Sequence, residues 1–444
     1  MHIYDIIIVG GFMMDLIKKQ KFDIYLIILS TLTFTSYVFN LEYLVVAVFL
    51  VVGIYTVIFN KNPLNLIPIV MLSHMGNQNL SNEATTLKTA LMVITIVLIV
   101  ADAIKNRKFS TKGKLFYPFM IFIVLSILTF INSDDYKNTW YGLLQVLRFT
   151  ATYMYLVNVL KDDKDNFINI SKIFLYASLV VTAEMLYVLN TSTEPILNII
   201  RTRQISLGWA NLNVIIYPNL VSIPLVAYLV LNVKDKIYYM VLGSFSALGI
   251  FLTLSRSSIL TLAVYAILLG VMVLIFYRKD IKKIIIPGII YVVITGITML
   301  YFEQDGIISG VINSFLDRDL GRFDDRWVLI ERGIELFKEH PLFGFGGLYS
   351  SRVHLAEFGI KNYHNTFIQA MTLGVFGLVN LFYFMYQQVK VIIKDKDLFK
   401  YFVLIMLFGT GIVNGFFQPM YFYADYILFI AIFIALFEVK NQTY

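Results

Sequence analysis

The sequence predicts an all-α polytopic membrane bundle, and three observations carry that expectation. Of the 444 residues, 58% are hydrophobic and 15% charged, with a mean hydropathy of +0.74. Ordinary soluble chains are about 45–50% apolar and about 25% charged. The apolar residues come in blocks of about 17–22, the length that crosses about 30 Å of hydrocarbon as helix. Lys and Arg gather in every second connection between blocks, the signature of helices that alternate in direction across a bilayer. Soluble enzymes and disordered chains are excluded by composition. Porin-type barrels are excluded because their strands alternate apolar and polar residues over about ten positions.

The blocks run in order over 23–39, 42–59, 63–78, 88–104, 115–131, 140–160, 167–189, 211–231, 237–254, 256–277, 281–302, 366–387, 399–417 and 420–438. Charged or turn residues bound them, and they predict about 12–14 transmembrane helices. The third is interrupted by Pro63, Pro68, His74 and Asn77 and reads as a broken or re-entrant helix. Residues 1–17 are too short and too interrupted to span, and fit an interfacial amphipathic helix. They do not fit a cleaved signal, because Asp5 and Asp15 flank the apolar stretch and Lys18, Lys19 and Lys21 follow it.

Three units are expected: an N-terminal transmembrane bundle at 1–302, a long extracytoplasmic loop with short amphipathic helices at 303–365, and C-terminal transmembrane helices at 366–444. The sidedness rests on clusters such as Lys18-Lys19-Gln20-Lys21, Lys105 to Lys108 and Lys390 to Lys400. Only Lys88, Lys137, Arg201, Arg203 and Arg256 occupy the short opposite connections. Both termini are therefore expected in the cytoplasm. Within the loop, Trp327, Ile330, Ile334 and Phe337 are spaced as one face of an amphipathic helix from about Asp325 to Lys338.

The net charge of +7 is accounted for by this orientation signal rather than by a nucleic-acid partner, since no basic stripe lies on a soluble domain. With no cysteine, disulfides, thiolate ligands and thiol catalysis are absent. Scattered histidines and no convincingly spaced carboxylate pair give no metal site, and no cofactor is expected.

Arginine and lysine are placed differently. Arg201, Arg203, Arg256, Arg318, Arg322, Arg326, Arg332 and Arg352 fall on the outer side, whereas lysine dominates the cytoplasmic connections. Orientation accepts either residue, so selective outward arginine asks for a property of the guanidinium. Its planar fork matches phosphate and carboxylate oxygens and keeps its charge when partly buried. For Arg318, Arg332 and Arg352, pairing with loop carboxylates is the competing explanation. Arg148 lies inside a block with no neighbouring acid, and an intramembrane charge usually faces a polar cavity or a partner. Glu184 is one candidate partner, and snorkelling to the interface is the alternative. His364 stands where the loop re-enters the membrane. A neutral imidazole near arginines is a candidate general base, although an isolated interfacial histidine is commonly only a helix-start residue.

Four features occur in a fixed order on one topological side. They are Ser255-Arg256-Ser257-Ser258, Arg326-Trp327, His340-Pro341-Leu342-Phe343-Gly344-Phe345-Gly346, and His364-Asn365-Thr366-Phe367 ahead of Gly374 and Gly377. With Arg203-Gln204-Ile205-Ser206-Leu207-Gly208 leading to Asn211 and Asn213, this order resembles the O-antigen ligase and polymerase superfamily over about residues 200–390. The spacing from Arg322 to Gly333 is also similar to one in polymerases.

The resemblance implies a GT-C-like, inverting, metal-independent glycosyltransferase of the bacterial inner membrane. Its donor would be an undecaprenyl-pyrophosphate-linked glycan and its acceptor a second glycan. His364 would be the catalytic base. Arg203 and Arg256, with Arg201, Arg326 and Arg148, would bind the pyrophosphate, supported by Asn365, Asn213 and Arg322. A polymerase of O-antigen or capsular repeat units is the favoured reading, and a ligase acting on lipid A core or another acceptor is the alternative. A lipid-linked oligosaccharide flippase is the reading from a different class. A chain-length regulator or a flippase would be its protein partners.

Overall fold

In the computed structural model the described residues are 21–59, 63–72, 75, 86–105, 113–133, 135–160, 163, 165–195, 198–199, 205–209, 215–253, 255–278, 322–346, 355 and 362–442, with isolated positions between 289 and 313. Among them the regular structure is helical, as expected for an all-α chain. The helices are α1 (Lys21–Phe39), α2 (Glu42–Phe59), α3 (Leu66–Leu72), α4 (Thr86–Lys105), α5 (Phe116–Leu128), α6 (Tyr136–Val159), α7 (Asn166–Thr191), α8 (Tyr217–Asn232), α9 (Lys236–Leu252), α10 (Arg256–Phe276), α11 (Arg322–Glu339), α12 (Thr366–Met371), α13 (Gly374–Ile393), α14 (Phe399–Met406) and α15 (Ala424–Gln442). Five described segments are long and apolar enough to cross a membrane: Lys21–Phe39, Asn166–Thr191, Arg256–Phe276, Gly374–Ile393 and Phe399–Phe416. The block at 281–302, apart from isolated positions, and residues 1–20 lie outside the described residues.

Two helices with long apolar stretches have opposite surroundings. α15 is buried along one continuous stretch from Tyr426 to Val439, packed against α6 and α13, as expected for a helix apolar on every side at the centre of a bundle. α10, apolar from Ile259 onward apart from Thr261, leaves Ile267, Leu274 and Ile275 more than half exposed. With the exposed apolar faces of α2 and α13, this makes a surface suited to lipid rather than water. Burial alone distinguishes the two environments, because both helices satisfy their backbone polar groups internally.

The block at 63–78 is broken, as its prolines lead one to expect: a 3-10 turn at Pro63–Asn65 leads into the seven-residue α3, every residue of which is buried. Pro63 and Pro68 lack the amide protons that a continuous helix needs. Two other expectations need correction. The block at 366–387 is broken: α12 ends at Met371, and α13 starts at Gly374 with φ +75° and runs on to Ile393. Helix α11 does form, but its buried face centres on Leu329, Gly333 and Leu336, flanked by Ile330, Ile334 and Phe337. Trp327 is 62% exposed. Gly333 decides the orientation, because a side chain there would collide with Ile368 and crowd Tyr363, so the line through Gly333 can approach α12 most closely.

The break at Gly374 receives the turn that follows α11. Val375 donates its amide to the Pro341 carbonyl (2.8 Å) and Phe345 to the Thr372 carbonyl (3.1 Å). Gly344, at φ +71°, would drive a Cβ into the Thr372 carbonyl, and Gly374 would do the same to the Leu342 carbonyl. The Pro341–Gly346 motif is therefore a backbone-to-backbone clasp that holds α11 over the α12–α13 corner. Gly344→Ala is expected to destabilise the fold by roughly 3 kcal/mol, combining left-handed strain with overpacking against backbone. Thermal unfolding in detergent should show a clear loss. Gly270→Ala is the control, because space at Gly270 is open and alanine favours helix.

Candidate functional site

His364 sits in the short connection that enters α12. Its backbone is left-handed at φ +49°, a region that histidine visits more readily than most residues. Asn365 follows as the N-cap of α12, its Oδ1 accepting from the Phe367 (2.8 Å) and Ile368 (3.1 Å) amides. This satisfies two of the donors that a helix start leaves open. The cap and the left-handed residue together turn the chain so that the His364 ring meets the segment after α14. His364 Nδ1 lies 3.2 Å from Gln418 Oε1.

That second segment is shaped by an unusual helix. α14 widens into a π-helix at Leu407–Val413, then tightens to a 3-10 turn at Asn414–Phe416. π-segments are rare and concentrate at functional sites. Inside it, Thr410 hydrogen-bonds the Tyr265 hydroxyl of α10, which also reaches the Met406 carbonyl (3.3 Å). The 414–418 turn is stitched to the start of α12: Asn365 Nδ2 donates to the Phe416 carbonyl (3.3 Å) and Thr366 Oγ1 to the Gln418 carbonyl (3.0 Å).

One of the sequence-derived arginines meets this turn, and a second lies near the first. The guanidinium of Arg326, on α11, lies over the Phe417 ring at 5.8 Å, a cation–π arrangement that places it one residue from Gln418. Burial lowers the Arg326 pKa from its usual value, and the charge of Arg256 lowers it further. The two cations therefore lie close enough to repel each other through a poorly solvated region. Arg256 is the first residue of α10, with Ser255 as N-cap and Ser257 and Ser258 buried behind it. At that end the helix dipole is positive, so guanidinium and helix terminus reinforce one another as an anion site. Like charges held together in a poorly solvated region favour binding of a multivalent anion.

The remaining expected residues are distributed as follows. Arg148 is buried in α6 rather than snorkelling, and its Nη2 donates to the Val70 carbonyl of α3 (3.1 Å). Glu184 accepts from Trp209 Nε1 (2.8 Å), which pins the segment 205–209 to α7. Arg322 opens α11. Arg201, Arg203 and Asn213 lie outside the described residues. Asn365 is engaged in capping and in the clasp to Phe416.

Gln418, Phe417, Tyr423 and Asn362 belong to the same constellation, and sequence reasoning did not single them out. The available signal was the polar Gln418-Pro419 step between two apolar blocks. It carried no hint that His364 was its partner.

Neither the curated proteins nor the solved structures contain a match to this chain. Residues 240–382 match the family model described as O-antigen ligase, a segment that runs from α9 into α13 and includes Arg256, Arg326 and His364. Over that segment the chain is similar to the O-antigen ligase family, in agreement with the superfamily that its ordered motifs resemble and with its helices long and apolar enough to cross a membrane.

Proposed function

We propose that this chain is a polysaccharide polymerase that joins polyprenyl-pyrophosphate-linked repeat units at the outer face of the bacterial inner membrane. The observation that carries the reading is the convergence of His364 and Arg326 on the 414–418 turn, with Arg256 close enough to press on the Arg326 charge. A base and a cationic pair together suit transfer of a sugar from a pyrophosphate.

In that reaction an acceptor sugar hydroxyl gives its proton to His364 Nε2 and attacks the anomeric carbon. The new C–O bond forms as the bond to the pyrophosphate oxygen breaks, with inversion, and the lipid pyrophosphate leaves with the electron pair. Arg326 and Arg256 stabilise the charge that grows on the leaving oxygens, a role for preorganised donors that act mainly in the transition state. Arg201, Arg203 and Arg148 complete the set on sequence grounds. The outward placement of the site is supported by the lysine distribution, which assigns both termini to the cytoplasm. The loop at 303–365 would then form the extracytoplasmic unit between two transmembrane portions.

The ligase reading is favoured by the description of the matching family, and it uses the same donor and the same base. Purified protein incubated with a defined polyprenyl-pyrophosphate repeat unit, with no second acceptor, separates the two. A ladder of products is expected. Absence of the ladder, with single transfer on addition of a lipid A core acceptor, would establish the ligase instead.

A further inference from the structure

We infer that Gln418, with Tyr423 and Asn362, is the positioning device that holds the proton of His364 on Nδ1 and so leaves Nε2 as the basic nitrogen. The inference rests on the proposed role of His364, and it adds Asn362 within the segment matched to the family and Gln418 and Tyr423 outside it.

The hydrogen bonds have a single consistent direction. The main-chain N–H of His364 donates to Asn362 Oδ1 (2.9 Å), which turns the Asn362 amide nitrogen the other way. Asn362 Nδ2 reaches the Tyr423 hydroxyl (3.4 Å). An amide nitrogen only donates, so the Tyr423 oxygen accepts there and its own proton is free to point elsewhere. It points to Gln418 Oε1 at 3.2 Å. That oxygen is also 3.2 Å from His364 Nδ1. An oxygen cannot donate, so Nδ1 carries the proton and Nε2 the lone pair. The ring of contacts begins on the backbone of His364 and ends on its side chain.

The frame around the ring is built to hold this arrangement. Gln418 is 3% exposed, and its carbonyl is held by Thr366, two residues beyond His364 in the chain. The Tyr423 ring packs on Tyr217 at 5.1 Å. The titratable or charged groups that contacts place around the ring include Tyr423, Tyr217, Tyr426 behind Tyr217, Arg326 across Phe417, and Arg256 beyond it. A neutral amide in the orienting position holds the tautomer without adding a negative charge beside the incoming pyrophosphate, where a carboxylate would repel it.

Selective 15N-histidine labelling tests this directly, with His364→Asn used to assign the resonance. The expected result is a neutral His364 in the Nδ1–H form in the wild type and a mixture of tautomers in Gln418→Ala. A wild-type Nε2–H form would overturn the inference whatever the enzyme's activity.

Kinetics supply the second arm. Gln418→Ala should lower kcat by about 10²-fold with KM little changed, as a misplaced reacting group does. Gln418→Glu should move the acidic limb of the pH profile upward by about 1–3 units, because an opposite charge at this distance favours imidazolium. A merely structural glutamine would leave that limb in place, and an unshifted limb in a folded Gln418→Glu protein would count decisively against the inference. If His364→Asn instead retains full activity while the Nδ1–H form is observed, the functional reading falls and the positioning geometry stands.

Discussion

Replacing His364 with asparagine should lower kcat for glycan transfer by about 10²–10⁴-fold, the usual contribution of a positioned general base, while KM changes little. Asparagine is the informative substitution. The residue occupies a left-handed backbone conformation at φ +49°, which asparagine tolerates and alanine does not. His364→Ala would therefore mix loss of the base with backbone strain of roughly 1–2 kcal/mol.

The pH dependence has a definite sign. The base must be neutral to accept the acceptor's proton, so wild-type kcat should fall on acidification as the imidazole protonates. The asparagine variant should lose that limb. In cells, polymer should disappear while lipid-linked single repeats accumulate on the outer side of the membrane. Accumulation on the inner side would support transport in place of transfer, and full activity in a folded His364→Asn protein would remove the base from the mechanism.

Arg326→Ala and Arg256→Ala should each lower kcat by about 10²–10³-fold, the scale seen when one preorganised donor is taken from a developing negative charge. The lysine variants should also be impaired. A point charge replaces a bidentate fork, and at Arg326 the guanidinium contact with Phe417 is lost as well. Because the proposed mechanism sets both guanidinium groups on one leaving group, their effects should not add. The double variant should be less damaged than the product of the two single losses. Binding of inorganic pyrophosphate, followed by calorimetry, should weaken in the same variants and more steeply as salt is raised. Fully additive losses with unchanged pyrophosphate binding would separate the arginines from a shared anion site.

The parts of the molecule legible in the sequence are those decided by local chemistry. Helical membrane character follows from the length and composition of each block, and α11 from its apolar spacing. His364, Arg256 and Arg326 stood out because charged or titratable residues are few in so apolar a chain and their order matched a family. Local pattern misjudged the elements in which a distant neighbour decides. The break before Gly374 depends on a clasp from the Pro341–Gly346 turn. The buried face of α11 depends on how closely Gly333 lets α12 approach, and hydropathy alone had placed Trp327 inside. Glu184 looked like a partner for Arg148 because both are intramembrane charges, yet it receives Trp209 from the next connection.

By itself the sequence determined the class of protein, the apolar character of its long helices and the residue types available for chemistry, because each depends on the composition of a short stretch and on the free energy of moving it from water to hydrocarbon. Tertiary structure alone decided which polar groups face one another. Histidine 364 and glutamine 418 are 54 positions apart, and no local free energy links them. They meet because a π-helix widens the end of α14, a left-handed residue turns the entry to α12, and three hydrogen bonds hold the two segments at a distance where the direction of a single proton can be set.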